Sequence, residues 1–308
     1  MMALALGRAA FIAACAGAAG TGVGGPLPPS TLAVRTASGW TEWWRSSRAP
    51  ARYDTSAPGR AALAPVARWR AGADGVEWTE LELAGSGEAR RTRLVLARID
   101  PRRVRLTLDT AFTDGKAAWS LARADKHVVV AVNAGQFVRS MPWGWVVLDG
   151  SGFLAPSVAP LVTSVTVGAD GTVRFTHATL PDPAGVRWAF QSYPTLLNAG
   201  TVPEPLRASG CGVNVVHRDA RLALGLDGDG RLLIAMTRFD GLGGVLDRVP
   251  FGLTSPEMAA VMGSLGATDA VLLDGGISAQ LMVRDAQGAS HAWPGVRKVP
   301  LALLAFPR

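Results

Sequence analysis

An aspartate followed by two glycines, Asp274-Gly275-Gly276-Ile277-Ser278, is the position in this sequence best equipped for chemistry. Residues 270–273 before it and 279–283 after it are apolar and predicted to be extended, so the carboxylate stands at a loop between two buried segments. Paired glycines reach backbone angles closed to other residues and let a ligand approach the main chain. A second loop of similar make, Asn133-Ala134-Gly135-Gln136-Phe137, follows the continuous apolar run 128–132, which is the pattern of a strand buried on both faces. A third segment, Arg221-Leu222-Ala223-Leu224-Gly225, sets an arginine at the head of another apolar run. Taken singly, each has a plain structural reading: a turn aspartate, a turn asparagine, and an arginine paired with a buried carboxylate.

Together, and in order along residues 94–306, these segments resemble the phosphodiester glycosidase family. Asn133 to Phe137 is similar to the family's Asn-Gly-Gly-Phe-Phe-like loop, and Pro142-Trp143-Gly144 to its Pro-x-Gly strand. Gln191, Pro194, Leu196 and Gly200 match a Gln-x-x-Pro-x-Leu-x-x-x-Gly segment, and Arg221 to Gly225 resembles the Arg-Thr-Ala-Ile-Gly signature. Leu265-Gly266-Ala267, the Asp274 to Ser278 loop, and Arg297 with Val299 complete the set. Two departures stand out. Where many members carry Asp-Gly-Arg, this chain has Thr237-Arg238-Phe239-Asp240-Gly241, and Gln136 replaces a usual Phe beside the expected site.

The resemblance implies a hydrolase acting on a sugar 1-phosphodiester. Most glycosidases need two carboxylates, one to protonate a poor leaving alkoxide. A departing phosphate monoester is already a stable anion, so one carboxylate with arginines to hold the phosphate is enough on this reading. Asp274 is then the base, nucleophile or metal ligand, and Arg221 and Arg297 are the phosphate clamp. Asn133, Gly135, Gln191, Gly275, Gly276 and Ser278 are expected to hydrogen-bond sugar or phosphate. If a second acid is used, Asp285, Glu257 and Asp240 are the candidates, Glu257 being already explained as a helix cap. A divalent metal is compatible with the site, but two cysteines and four histidines show no zinc-like spacing. The rival from another class is a non-catalytic envelope protein that binds anionic glycan in the same pocket.

Composition bounds the setting. The 308 residues carry a formal charge of +7, almost wholly from arginine, since Lys116, Lys126 and Lys298 are the only lysines. The arginines are scattered, with a local density over 90–105 read as a solvated face, and no nucleic-acid module signature appears; the expected partner is a sugar phosphate or envelope glycan. Residues 1–25 hold one charge, Arg8, before an apolar stretch, the form of a short signal sequence. Two readings stay open there: a lipoprotein leader in which Cys15 is lipidated and supplies the only membrane attachment, or a plain cut near Ala19. Either places the protein outside the cytoplasm, periplasmic or secreted. Cys211 is expected to be a buried structural thiol rather than a nucleophile served by His217.

The elements that must position these groups follow from periodicity. Residues 26–75, rich in Pro, Ser, Ala and Arg, read as a low-order or peripheral extension packed by Trp40, Trp43 and Trp44. From residue 76 to 308 a single domain is expected. It is α+β, a mixed or mostly antiparallel sheet core with a few packing helices. Strand-like runs recur at 94–99, 104–108, 128–132, 146–148, 162–167, 222–226 and 232–236, and Asp227-Gly228-Asp229-Gly230 reads as a hairpin turn rather than a calcium loop. Thr254-Ser255-Pro256-Glu257 is a capping box, and Met258, Val261, Met262 and Leu265 fall on one face of the helix it starts, which Gly266 ends. A second helix is predicted over 116–124.

Overall fold

The computed structural model of the protein describes residues 24–54, 62–240, 249 and 251–308. The leader and Cys15 lie outside the described residues. Among those described there is one α-helix, and every strand pairing is antiparallel. The fold is therefore nearly all-β, and the expected α+β class holds in its antiparallel sheets, with one packing α-helix among the described residues in place of a few.

Three sheets build the core. A nine-stranded sheet runs Thr195–Leu197, Ala267–Leu272, Leu222–Asp227, Leu232–Phe239, Thr92–Ile99, Val76–Gly85, Thr31–Thr36 and Gly39–Arg45 in spatial order, with Arg70–Ala71 paired to the side of Val76–Gly85. A five-stranded sheet runs Ser290–Trp293, Leu281–Arg284, Val130–Asn133, Leu301–Pro307 and Val104–Thr110. The other five-stranded sheet runs Ser151–Leu154, Val146–Leu148, Val186–Ser192, Thr163–Gly168 and Val173–His177.

Side-chain alternation explains why the apolar runs are continuous. Val95, Ala97 and Ile99 face one core with Val130, Val132, Leu303, Val165 and Phe190 from the other two sheets. Leu94 and Leu96 point the opposite way, into a second core with Met258, Val261 and Met262 of the helix. Ala131, Leu304 and Trp119 form a third on the far side of the sheet that contains Val130–Asn133. Strands covered on both faces cannot show polar alternation. The half-buried pair His177 and Asp269, 2.8 Å apart, ties the last sheet to the first.

The helix Ser255–Ser264 begins at the expected capping box. The Thr254 hydroxyl accepts from the Glu257 amide at 3.3 Å and Glu257 Oε2 accepts from the Thr254 amide at 2.9 Å. It is buried on all sides, since Tyr53 covers the face away from the sheet so closely that a side chain at Gly263 would collide with its ring. The Asp227 to Gly230 segment is the hairpin turn between Leu222–Asp227 and Leu232–Phe239, with Asp227 Oδ1 accepting from the amides of Asp229 and Arg231.

Two expectations are corrected. Residues 116–124 form a two-residue strand and a short 3-10 turn, Leu121–Arg123, because Trp119 pairs with Val299 and buries its ring, holding that stretch extended. Within the stretch read as a low-order extension, Thr31–Thr36 joins the large sheet beside Val76–Gly85, and Leu32, Val34 and Trp44 belong to its core. Exposed Trp40 and Arg35 at the hairpin tip masked that pattern in the sequence.

Candidate active site

Asp274 sits where the large sheet hands the chain to its neighbour. The Ala267–Leu272 strand ends with the Leu273 amide donating to the Leu222 carbonyl, and one residue later the Asp274 amide donates to the Gly135 carbonyl at 3.0 Å. Asn133, at the end of its own strand, closes the other side: its Nδ2 donates to the Asp274 carbonyl at 2.8 Å, while its Oδ1 accepts from the Gln280 amide at 3.0 Å. The aspartate backbone is thus gripped from both sides by the Asn133 loop.

Each glycine has a separate physical cause. At Gly275 a Cβ would lie 2.4 Å from the Ala220 carbonyl oxygen, so only glycine lets these two backbones meet. Gly276 has φ +56°, and a side chain there would come within 3.2 Å of both Asp219 carboxylate oxygens. The turn Gly276–Ser278 then brings the Ser278 hydroxyl to the Asp274 carboxylate.

These residues line one open cavity of about 750 Å³, with Asp274, Gly275, Gly276, Ile277 and Ser278 on one wall, and His217, Arg218, Asp219 and Arg297 contributing charge. Burial raises the Asp274 carboxyl above its ordinary value; the Ser278 hydrogen bond and the Arg297 charge oppose this, and the neighbouring Asp219 charge adds to it. A carboxyl held up in this way is suited to exchanging a proton nearer neutral pH. Arg297 donates to the Arg139 carbonyl at 3.1 Å and lies 4.8 Å over the Phe137 ring. It makes no ion pair with a carboxylate among the described residues, which leaves its charge for an anion.

Asp219 is the carboxylate that sequence reasoning missed. Its backbone pairs with Leu253, and its Oδ2 is 3.8 Å from Nε2 of the exposed His217. Its one signal in the sequence was its place two residues before Arg221. Of the three acids named as candidates, Asp285 accepts from His291 and its own turn amides, Glu257 caps the helix, and Asp240 does not line the cavity. Glu257 also has a second duty: Arg218 grips it with both terminal nitrogens, at 2.6 and 2.7 Å, which fixes the segment bearing His217 and Asp219 to the helix start.

Several residues expected to bind ligand make their hydrogen bonds within the protein. Gln191 is buried, and its side chain accepts from the Trp145 and Ser157 amides and donates to the Ser157 carbonyl and Ser164 hydroxyl, so all its polar valences are used. Arg221 does not line the cavity; it donates to the Leu253 and His217 carbonyls at 2.9 and 2.6 Å, and burial lowers its pKa from the usual guanidinium value against the pull of Asp219 and Glu257. Asn133 and Gly135 stand one step behind the cavity wall, holding Asp274. Arg238, at the departure from Asp-Gly-Arg, is buried and donates to the carbonyls of Ala279, Trp293 and Pro294, bracing the two loops that carry Ser278 and Arg297. Cys211 is half-buried against Gly24, away from the cavity.

Among the described residues no group of three or more His, Cys, Asp or Glu is placed to hold a metal ion, and no helix is long and apolar enough to cross a membrane.

A family model described as phosphodiester glycosidase matches residues 126–306. The catalytic domain of zebrafish N-acetylglucosamine-1-phosphodiester alpha-N-acetylglucosaminidase, auto-inhibited by its pro-peptide, has a similar fold: TM-score 0.59 and 18% identity, over 84% of this chain and 95% of that one. A hypothetical protein from Synechocystis aligns with TM-score 0.48 and 15% identity over 76% of this chain and 62% of that one. A protein from Burkholderia pseudomallei K96243 aligns with TM-score 0.49 and 18% identity over 90% and 86%. No curated protein matches the sequence.

Proposed function

Because the chain belongs to the phosphodiester glycosidase family, we propose that it is an extracytoplasmic hydrolase cleaving the anomeric C–O bond of a sugar 1-phosphodiester in the Asp274 cavity. One observation carries this reading: two carboxylates, Asp274 and Asp219, face the same cavity as the unpaired cation Arg297. Water attacks the anomeric carbon and gives its proton to Asp274. The phosphate monoester leaves with the bonding electron pair, and Arg297 with the Gly276 and Ser278 side of the loop holds its charge. Asp219 stabilises the positive charge that grows on the sugar ring as the bond breaks. Because the leaving group is already a stable anion, no strong acid is needed on its side. The extracytoplasmic setting rests on the leader-like composition of residues 1–25.

Purified protein should release sugar and phosphate monoester from members of a panel of sugar 1-phosphodiesters, assayed with and without divalent metal. In H₂¹⁸O the label should enter the sugar; label in the phosphate would instead mean P–O cleavage. Asp274→Asn should abolish release. Saturable binding of an uncleavable analogue with no turnover of its cleavable counterpart would overturn the hydrolase reading in favour of a glycan-binding protein.

A further inference from the structure

Part of the cavity's lining is apolar and open to solvent. Val216, Phe251 and Ile277 line it and remain 55, 39 and 44% exposed. A smaller cavity of about 250 Å³ adjoins it, sharing Gly87, Val216 and Arg218 as a common wall. Its remaining lining includes Leu27, Pro28, Trp44, Val215 and Pro256. The hydroxyls there are already engaged within the protein. Ser30 donates to Glu257, Ser46 Oγ accepts from the Ser30 amide at 2.9 Å, Ser86 Oγ from the Thr31 amide at 3.3 Å, and Thr254 caps the helix. Arg218, the only charged group on that wall, is neutralised by its two bonds to Glu257.

Sugar recognition needs dense hydrogen bonding to hydroxyls, with aromatic faces as the apolar complement. Phe251 is the exposed aromatic face of the larger cavity and Trp44 is buried; the rest of the apolar lining is valine, leucine, isoleucine and proline without dense hydrogen-bonding groups, which suits hydrocarbon. An exposed apolar patch continuous with a polar site marks where an amphiphilic ligand lies. Resting on the hydrolase reading above, we infer that the aglycone of the substrate is an apolar chain, seated from Ile277 and Phe251 across Val216 into the Leu27–Trp44 cavity. The substrate class is thus a sugar 1-phosphodiester of an alkyl or isoprenoid alcohol. The phosphate sits at the junction, near Arg297 and Asp274, and the sugar occupies the polar part of the larger cavity.

The test compares sugar 1-phosphodiesters that differ only in a methyl or an octyl aglycone. Each methylene moved out of water is worth about a factor of four, so burying three or four of the added seven raises kcat/KM by about a hundredfold. The ratio should fall at least several-fold in Leu27→Asp and in Val216→Asp, each checked for native melting. Equal kcat/KM for the two esters overturns the inference and leaves the hydrolase reading standing. If neither ester is turned over, the hydrolase reading fails and binding decides the matter. Below its micelle concentration, octyl phosphate should change tryptophan emission saturably, far more tightly than methyl phosphate, and both variants should weaken it. Equal binding of the two phosphates, or none, overturns the inference.

Discussion

Asn133 Nδ2 donates to the Asp274 carbonyl at 2.8 Å across 141 residues of sequence, while the same asparagine accepts from the Gln280 amide. The two most distinctive loops of the chain are therefore one structural unit. Asn133 acts on the backbone of the aspartate, and its side chain spans the seam between two sheets.

Asn133→Ala should remove both bonds and leave a buried amide and carbonyl unpaired, at a cost of about 2 kcal/mol or more. A denaturation midpoint reads the stability, and single-turnover assays should show the larger loss in the chemical step, because Asp274 is released from its position. Activity retained at the destabilised variant's full folded fraction would contradict this role.

Asp274 has its pKa raised by burial, so the acid limb of the pH–rate profile should lie above the ordinary carboxylate range. Ser278→Ala removes a hydrogen bond to the ionised form and should move that limb to higher pH. The stability consequence has a definite sign. The native state holds the Asp274 proton more tightly than the unfolded chain, so stability falls as pH rises from the unfolded to the folded pKa and stays reduced above it. Asp274→Asn should therefore melt higher than the parent at neutral pH, with the difference fading below about pH 4, while turnover is lost.

Asp219→Asn should lower turnover by roughly 10²- to 10⁴-fold if the second carboxylate takes part in the reaction. Its charge helps hold the Asp274 carboxyl up, so the residual activity should keep its acid limb at lower pH than the parent. A purely structural Asp219 would change the melting temperature and leave the turnover of the folded fraction near that of the parent.

Breaking the Glu257–Arg218 pair should be costly because Glu257 is fully buried. Glu257→Gln is expected to lose about 2 kcal/mol, as the half-buried Arg218 loses two charge-assisted hydrogen bonds. Replacing both partners by apolar residues of similar volume should recover part of that loss, which a double-mutant cycle measures.

The helix at 255–264 was legible because capping and apolar spacing are local: Thr254 and Glu257 cap each other's backbone to start it. The central strands were legible as apolar runs, such as residues 128–132, since a strand covered on both faces carries mostly apolar side chains. The predicted helix over 116–124 failed because Trp119 answers to Val299, far along the chain, and not to its neighbours. Arg221 and Gln191 look like ligand binders in one dimension, and only the fold shows Arg221 Nε and Nη2 and the Gln191 amide bonded to other segments of the protein.

By itself the sequence determined that Asp274 would stand on a glycine loop at a strand end, and that the Asn133 loop and the later motifs belong with it in one family. Which acid joins Asp274, which arginine keeps a usable charge, and which glycine serves approach and which serves φ were decided only by the tertiary structure. The physical reason is range. Strand and cap formation depend on residues within a few positions, whereas the field at Asp274 is set by Asp219 and Arg297, groups that only the closing of separate sheets brings to one cavity.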